Sequence, residues 1–84
     1  MAKTLRSRGR KALLAVLVAS RREQGLTQRQ LAERLGWPHS AVGKVETGER
    51  RLDVVEFTLW AQALKMEPLT LYERYLGWER AGRR

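Results

Sequence analysis

The segment 26–48, LTQRQLAERLGWPHSAVGKVETG, constrains the fold more than any other part of this 84-residue chain. Its apolar residues recur at helical spacing in two short runs, Leu31, Ala32 and Leu35, then Ala41, Val42 and Val45. At 3.6 residues per turn each run makes one inward face. Opposite the second run lie Ser40, Gly43, Lys44 and Thr47, a small, polar stripe carrying one cation. A helix with such an outer face fits a DNA major groove and meets base edges there.

The connecting residues fit two helices crossing steeply. Thr27 with Gln30 makes a capping box that opens the first, and Gly36 stands where a left-handed C-cap is expected. Ala32 is small where the two backbones approach. Glu46 falls at the end of the second helix, against the dipole, so it calls for a cationic partner. Gly48 stops that helix.

These residues resemble the Cro-type, or xenobiotic-response-element (XRE) type, helix-turn-helix family of phage repressors and bacterial regulators. The matching positions are Thr27-Gln28, Leu31-Ala32, Gly36 and Glu46-Thr47-Gly48, and the likeness continues through Glu49–Asp53 to about Leu76. Several matches at fixed spacing carry far more weight than one short motif. The resemblance implies an all-α, repressor-like bundle of about five helices that binds double-stranded DNA.

The rest of the chain is consistent with that reading. Helix one is expected from Gly9 or Arg10 to Gln24, helix two over 28–35, and a recognition helix over 39–47. Asp53 with Glu56 makes a second capping box for helix four, ending near Leu64. Pro68 opens helix five, expected to reach Trp78. Residues 1–8 form a basic arm, 9–78 the DNA-binding domain, and 79–84 a frayed basic tail. The expected core is Leu13 or Leu14, Leu17, Leu31, Leu35, Val42, Val45, Phe57, Trp60, Ala61 and Leu64.

A net charge of +8 points to a polyanionic partner, nucleic acid before a membrane surface. With no cysteine and one histidine, the chain lacks the ligands for a transition-metal site, and neither a metal nor a cofactor is expected. No nucleophile–base set, paired-carboxylate cleft or phosphate-cradling loop suggests an enzyme. The basic start followed by the apolar run 12–19 superficially resembles a secretory signal, but its removal would strip the bundle of a core helix. A cytoplasmic protein is expected.

The resemblance assigns base contacts to His39, Ser40 and Lys44, with Gly43 beside them on the stripe. Gly43 departs from good helix chemistry, since mid-helix glycine costs about 1 kcal/mol relative to alanine. The cost is either tolerated or reflects a close approach of DNA. Gln28 matches a phosphate-binding position, and Thr27 caps first and contacts phosphate second. Arg50 and Arg51 occupy the family's backbone-contacting loop, and Arg29 is a weaker candidate of that kind. Thr47 reaches a phosphate or thymine methyl, or caps the helix. Arg21 and Glu46 are expected as a structural ion pair, with Arg22 as the competing partner. Pro38 departs from the family's usual Ser or Thr cap and shifts the start of the recognition helix by about a residue. The basic arm is expected along a DNA groove.

Helix five carries more large apolar groups than a monomer buries. Leu69, Tyr72, Tyr75, Leu76 and Trp78 are therefore the expected homodimer interface. The function expected is a sequence-specific regulator, a repressor on a palindromic operator. The alternative is an antitoxin or other protein-interaction module, with a toxin or other regulator as partner, whose DNA binding is autoregulatory.

Overall fold

The computed structural model describes residues 8–81. Among them are five helices and no strand: α1 (Arg8–Glu23), α2 (Gln28–Leu35), α3 (Ala41–Glu46), α4 (Val54–Ala63) and α5 (Pro68–Ala81). The basic arm expected over 1–8 and the tail over 79–84 lie mostly outside the described residues. Where they overlap with them, Arg8 begins α1 and residues 79–81 continue α5 as helix.

Local chemistry sets the boundaries. Thr27 and Asp53 each accept a hydrogen bond from the backbone N–H three residues on, and Gln30 and Glu56 reciprocate to the cap backbone, closing both capping boxes. Gly36 adopts φ 72°, and Trp37 N–H then reaches back to the Ala32 carbonyl at 3.0 Å, which closes the end of α2. The end of α4 uses the same device without glycine. Lys65 takes φ 57° so that Met66 N–H reaches the Ala61 carbonyl at 2.9 Å.

One boundary differs from expectation in a way that matters. The recognition helix, expected from His39, begins at Ala41. Pro38 provides no side-chain acceptor, and its carbonyl instead takes Ala41 N–H at 2.9 Å in a tight turn holding His39 and Ser40. Ser40 caps with helical backbone angles but no side-chain bond. At the other end Thr47 is the C-cap rather than a helical residue.

The helices bury a core of Val16, Leu17, Leu31, Ala32, Val42, Val45, Trp60, Ala61, Leu64 and Leu71. Leu13, Leu35 and Phe57, expected inside, pack against it half-buried. Leu14 stays outside this cluster, and Val16, Ala32 and Leu71 are additions to the expected core set. Trp37 in the turn meets Trp60 edge to face, with centroids 6.1 Å apart. α5 packs mainly along α1, and α2 meets both α3 and α4. The α2–turn–α3 unit is therefore braced by α1 and α4, and none of the described residues covers the outer side of α3.

Helix five spreads the residues of the expected dimer face over more than one side. About two and a half turns separate Leu69 from Trp78, which places them on opposite sides of α5. Leu69 and Tyr72 are exposed and Leu76 is half-buried on one side, while Tyr75 packs against the core. Trp78 faces a shallow groove with Leu14, Val18 and Arg22 of α1. The five residues do not make one surface, because counting apolar groups ignores their phase around the helix. α4 adds an exposed apolar pair that sequence reasoning missed, Val55 and Leu59, four residues apart on one face.

Candidate nucleic-acid interface

Behind α3 sits a polar lock. Arg21 of α1 donates from Nε to Glu46 Oε2 at 2.7 Å and from Nη2 to Oε1 at 3.1 Å. Its third arm, Nη1, holds the Leu26 carbonyl at 2.7 Å, ahead of α2. Arg22, the competing partner, is exposed. One guanidinium thus ties α1, the entry to α2 and the end of α3 together, and its charge offsets that of Glu46 at a helix C-terminus.

Gln28 extends the lock to the surface. Its Nε2 donates to Glu46 Oε1 at 2.8 Å, so one amide N–H of the residue matched to a phosphate contact is used within the fold. Its Oε1 lies 3.2 Å from where a Cβ on Gly43 would sit. The glycine thus makes room for Gln28 across the face of α3, a reason for it that the sequence alone did not offer.

On the outer face, Ser40 and Lys44 are exposed and Gly43 is half-buried. Neither the Ser40 hydroxyl nor the Lys44 ammonium has a side-chain partner among the described residues. His39 lies in the turn before α3, its Nε2 3.6 Å from Glu33 Oε2, and Arg29 Nε is 3.9 Å from the same oxygen. Thr47 Oγ1 lies 3.1 Å from the Lys44 carbonyl and 3.0 Å from Glu49 Oε2, so its hydroxyl closes the helix end. Thr27 is held in its capping box.

The two loop arginines differ. Arg50 Nη2 donates to Glu56 Oε2 at 2.9 Å, and its guanidinium stacks 4.5 Å over the Trp37 ring. It clamps the loop onto the turn between α2 and α3. Arg51 is exposed and has no hydrogen bond or ion pair within the described residues. Two further braces were missed by sequence reasoning because both end on backbone carbonyls, which leave no residue signature. Arg10 Nη2 donates to the Gly48 carbonyl at 2.6 Å, and Arg34 Nη1 to the Ala63 carbonyl at 2.9 Å at the end of α4.

Among the described residues no group of His, Asp and Glu is arranged to hold a metal ion, and no helix is long and apolar enough to cross a membrane. Two short helices around a left-handed glycine, the second locked from behind and open in front, define a helix-turn-helix protein. A family model described as helix-turn-helix matches residues 17–71. The fold is similar to that of an XRE-family like protein from Pseudomonas syringae pv. tomato str. DC3000. The two are 39% identical with a TM-score of 0.80, over 90% of this chain and 93% of that one. A search of curated proteins finds no match. The chain belongs to the XRE-type helix-turn-helix family, a family of DNA-binding regulators.

Proposed function

We propose that the chain is a sequence-specific, double-stranded DNA-binding transcriptional regulator, a cytoplasmic repressor that binds a palindromic operator as a homodimer. The observation that carries this reading is the outer face of α3, where Ser40 and Lys44 have no side-chain partners while Arg21, Glu46 and Gln28 fix the helix from behind. Pre-positioned polar groups on a small-residue face suit base readout. Ser40 and Lys44 read bases, with Gly43 permitting close approach and His39 reaching from the turn. Arg51, Arg29, Thr27, Thr47 and the second amide N–H of Gln28 face phosphates. Arg50 contributes chiefly by holding the loop.

Two copies would set their recognition helices about one helical turn, ~10–10.5 bp, apart on the operator. The exposed apolar residues Leu69 of α5 and Val55 and Leu59 of α4 support self-association. They equally support the alternative, an antitoxin-like module whose partner protein covers them. Co-purification of an unrelated protein in fixed ratio favours that alternative, and a symmetric homodimer opposes it.

Selection from a randomised duplex library, followed by titration across salt, tests the reading. The expected result is a symmetric motif in which Ser40→Ala or Lys44→Ala relaxes preference at single positions, by about 1–3 kcal/mol each. Salt-dependent binding with no enriched motif would leave only a DNA tether.

A further inference from the structure

We propose that an open groove between α1, α4 and α5 binds a small organic anion with an aromatic or aliphatic body, and that its occupancy weakens DNA binding. The open groove offers a volume of about 520 Å³, within the range of small-molecule sites. Leu13, Phe57, Tyr72 and Tyr75 line it with apolar surface, and Arg51, which has no hydrogen bond or ion pair within the described residues, belongs to the same lining. Among the described residues of the lining the one carboxylate, Asp53, is turned to its own helix, where Oδ1 accepts from Glu56 N–H at 2.8 Å. An apolar body with a carboxylate or sulfonate head fits both halves of this lining, since guanidinium pairs such heads by two parallel hydrogen bonds.

Charge also decides between occupants. A second copy seated face to face on this groove would bring its own Arg51 against the first, in a chain already carrying +8. An anion relieves that repulsion. The groove is also adjacent to the recognition helix: Arg10 holds the carbonyl of Gly48, just past α3, and Arg51 lies three residues further on. An anion paired with Arg51 withdraws the loop cation that the DNA-binding reading assigns to a phosphate. The regulatory half of the proposal rests on that reading, whereas the binding half does not.

The test is titration of the isotopically labelled full chain, without DNA, with naphthalene-2-carboxylate, followed by amide NMR shifts. Saturable shifts confined to residues 9–13, 51–57 and 72–75, the walls of the groove, are expected. The neutral 2-naphthylmethanol should bind about tenfold more weakly, as should the acid to Arg51→Gln. Val54→Glu adds a repelling charge at a lining residue that is 77% exposed, so it should weaken the acid by a similar factor with the remaining shifts unchanged. No saturable shifts, or equal affinity for the alcohol, would overturn the site. Movement of these same amides on simple dilution would assign the groove to a second copy instead. With the site present, operator affinity should fall several-fold at saturating acid, and unchanged affinity would overturn the regulatory half. A chain that binds the acid but no duplex DNA would refute the DNA-binding reading and leave the site standing.

Discussion

Arg21 and Glu46 form a two-point ion pair between α1 and α3, with only 9% and 5% of their side chains exposed. A buried pair of this kind is costly to break from one side, because the remaining charge keeps its desolvation penalty without its partner. Arg21→Met should therefore destabilise the fold by about 3–5 kcal/mol, a large share of the total for so small a domain. The double variant Arg21→Met/Glu46→Met should be more stable than the single one, since no buried charge is then orphaned. Urea unfolding followed by circular dichroism measures both, and a single-variant loss below about 1 kcal/mol would mean that water reaches the pair.

The adjacent arginines of the loop separate stability from binding. Arg50→Ala removes the contact with Glu56 and the stacking on Trp37, each worth about 0.5–1 kcal/mol at partly exposed sites. It should lower stability by about 1–2 kcal/mol and alter the Trp37 fluorescence. Arg51→Ala should leave stability within about 0.5 kcal/mol while reducing the salt slope of DNA binding by about one. If both variants lose stability equally, the loop is held by more than Arg50.

How much of this was legible in the sequence depends on the range of each interaction. The capping boxes at Thr27 and Asp53 and the turn at Gly36 are local, so residue identity alone predicts them and they form where expected. The Arg21–Glu46 pair spans 25 residues, and only the charge–dipole conflict at Glu46, with the family resemblance, pointed to it. Leu71 went unassigned because α5 is apolar on several sides, and its phase is set by packing on α1 rather than by its own pattern. The same weakness joined Leu69 and Trp78 into one expected surface. The late start of α3 followed from Pro38, whose lack of an acceptor was visible but whose turn geometry was not.

Gly43 and Gln28 can be tested together. Alanine at position 43 should gain about 1 kcal/mol of helix propensity. Its Cβ would press on the Gln28 amide at 3.2 Å, and that exposed, flexible end moves aside at the expense of its hydrogen bond to Glu46. The two effects nearly cancel, so Gly43→Ala should shift stability by less than about 0.5 kcal/mol. On the proposed DNA-binding reading, affinity should nonetheless fall several-fold, because the displaced Gln28 would no longer face a phosphate. Unchanged affinity at unchanged stability would show that Gln28 takes no part in binding.

Lys65 offers a test of backbone strain at a residue outside the proposed DNA contacts. It is the only non-glycine residue with positive φ among those described, held at 57° so that Met66 N–H closes the end of α4 on the Ala61 carbonyl. A side chain in that left-handed conformation costs about 1–2 kcal/mol, which glycine avoids. Glycine also gains freedom in the unfolded chain, which returns part of the benefit. Lys65→Gly should therefore stabilise the domain by about 0.5–1 kcal/mol, read as a higher urea midpoint at unchanged slope. Removing a cation that is not among the proposed base contacts should leave motif preference intact. A loss of stability would mean that the lysine stem packs on the surface by more than its backbone strain costs.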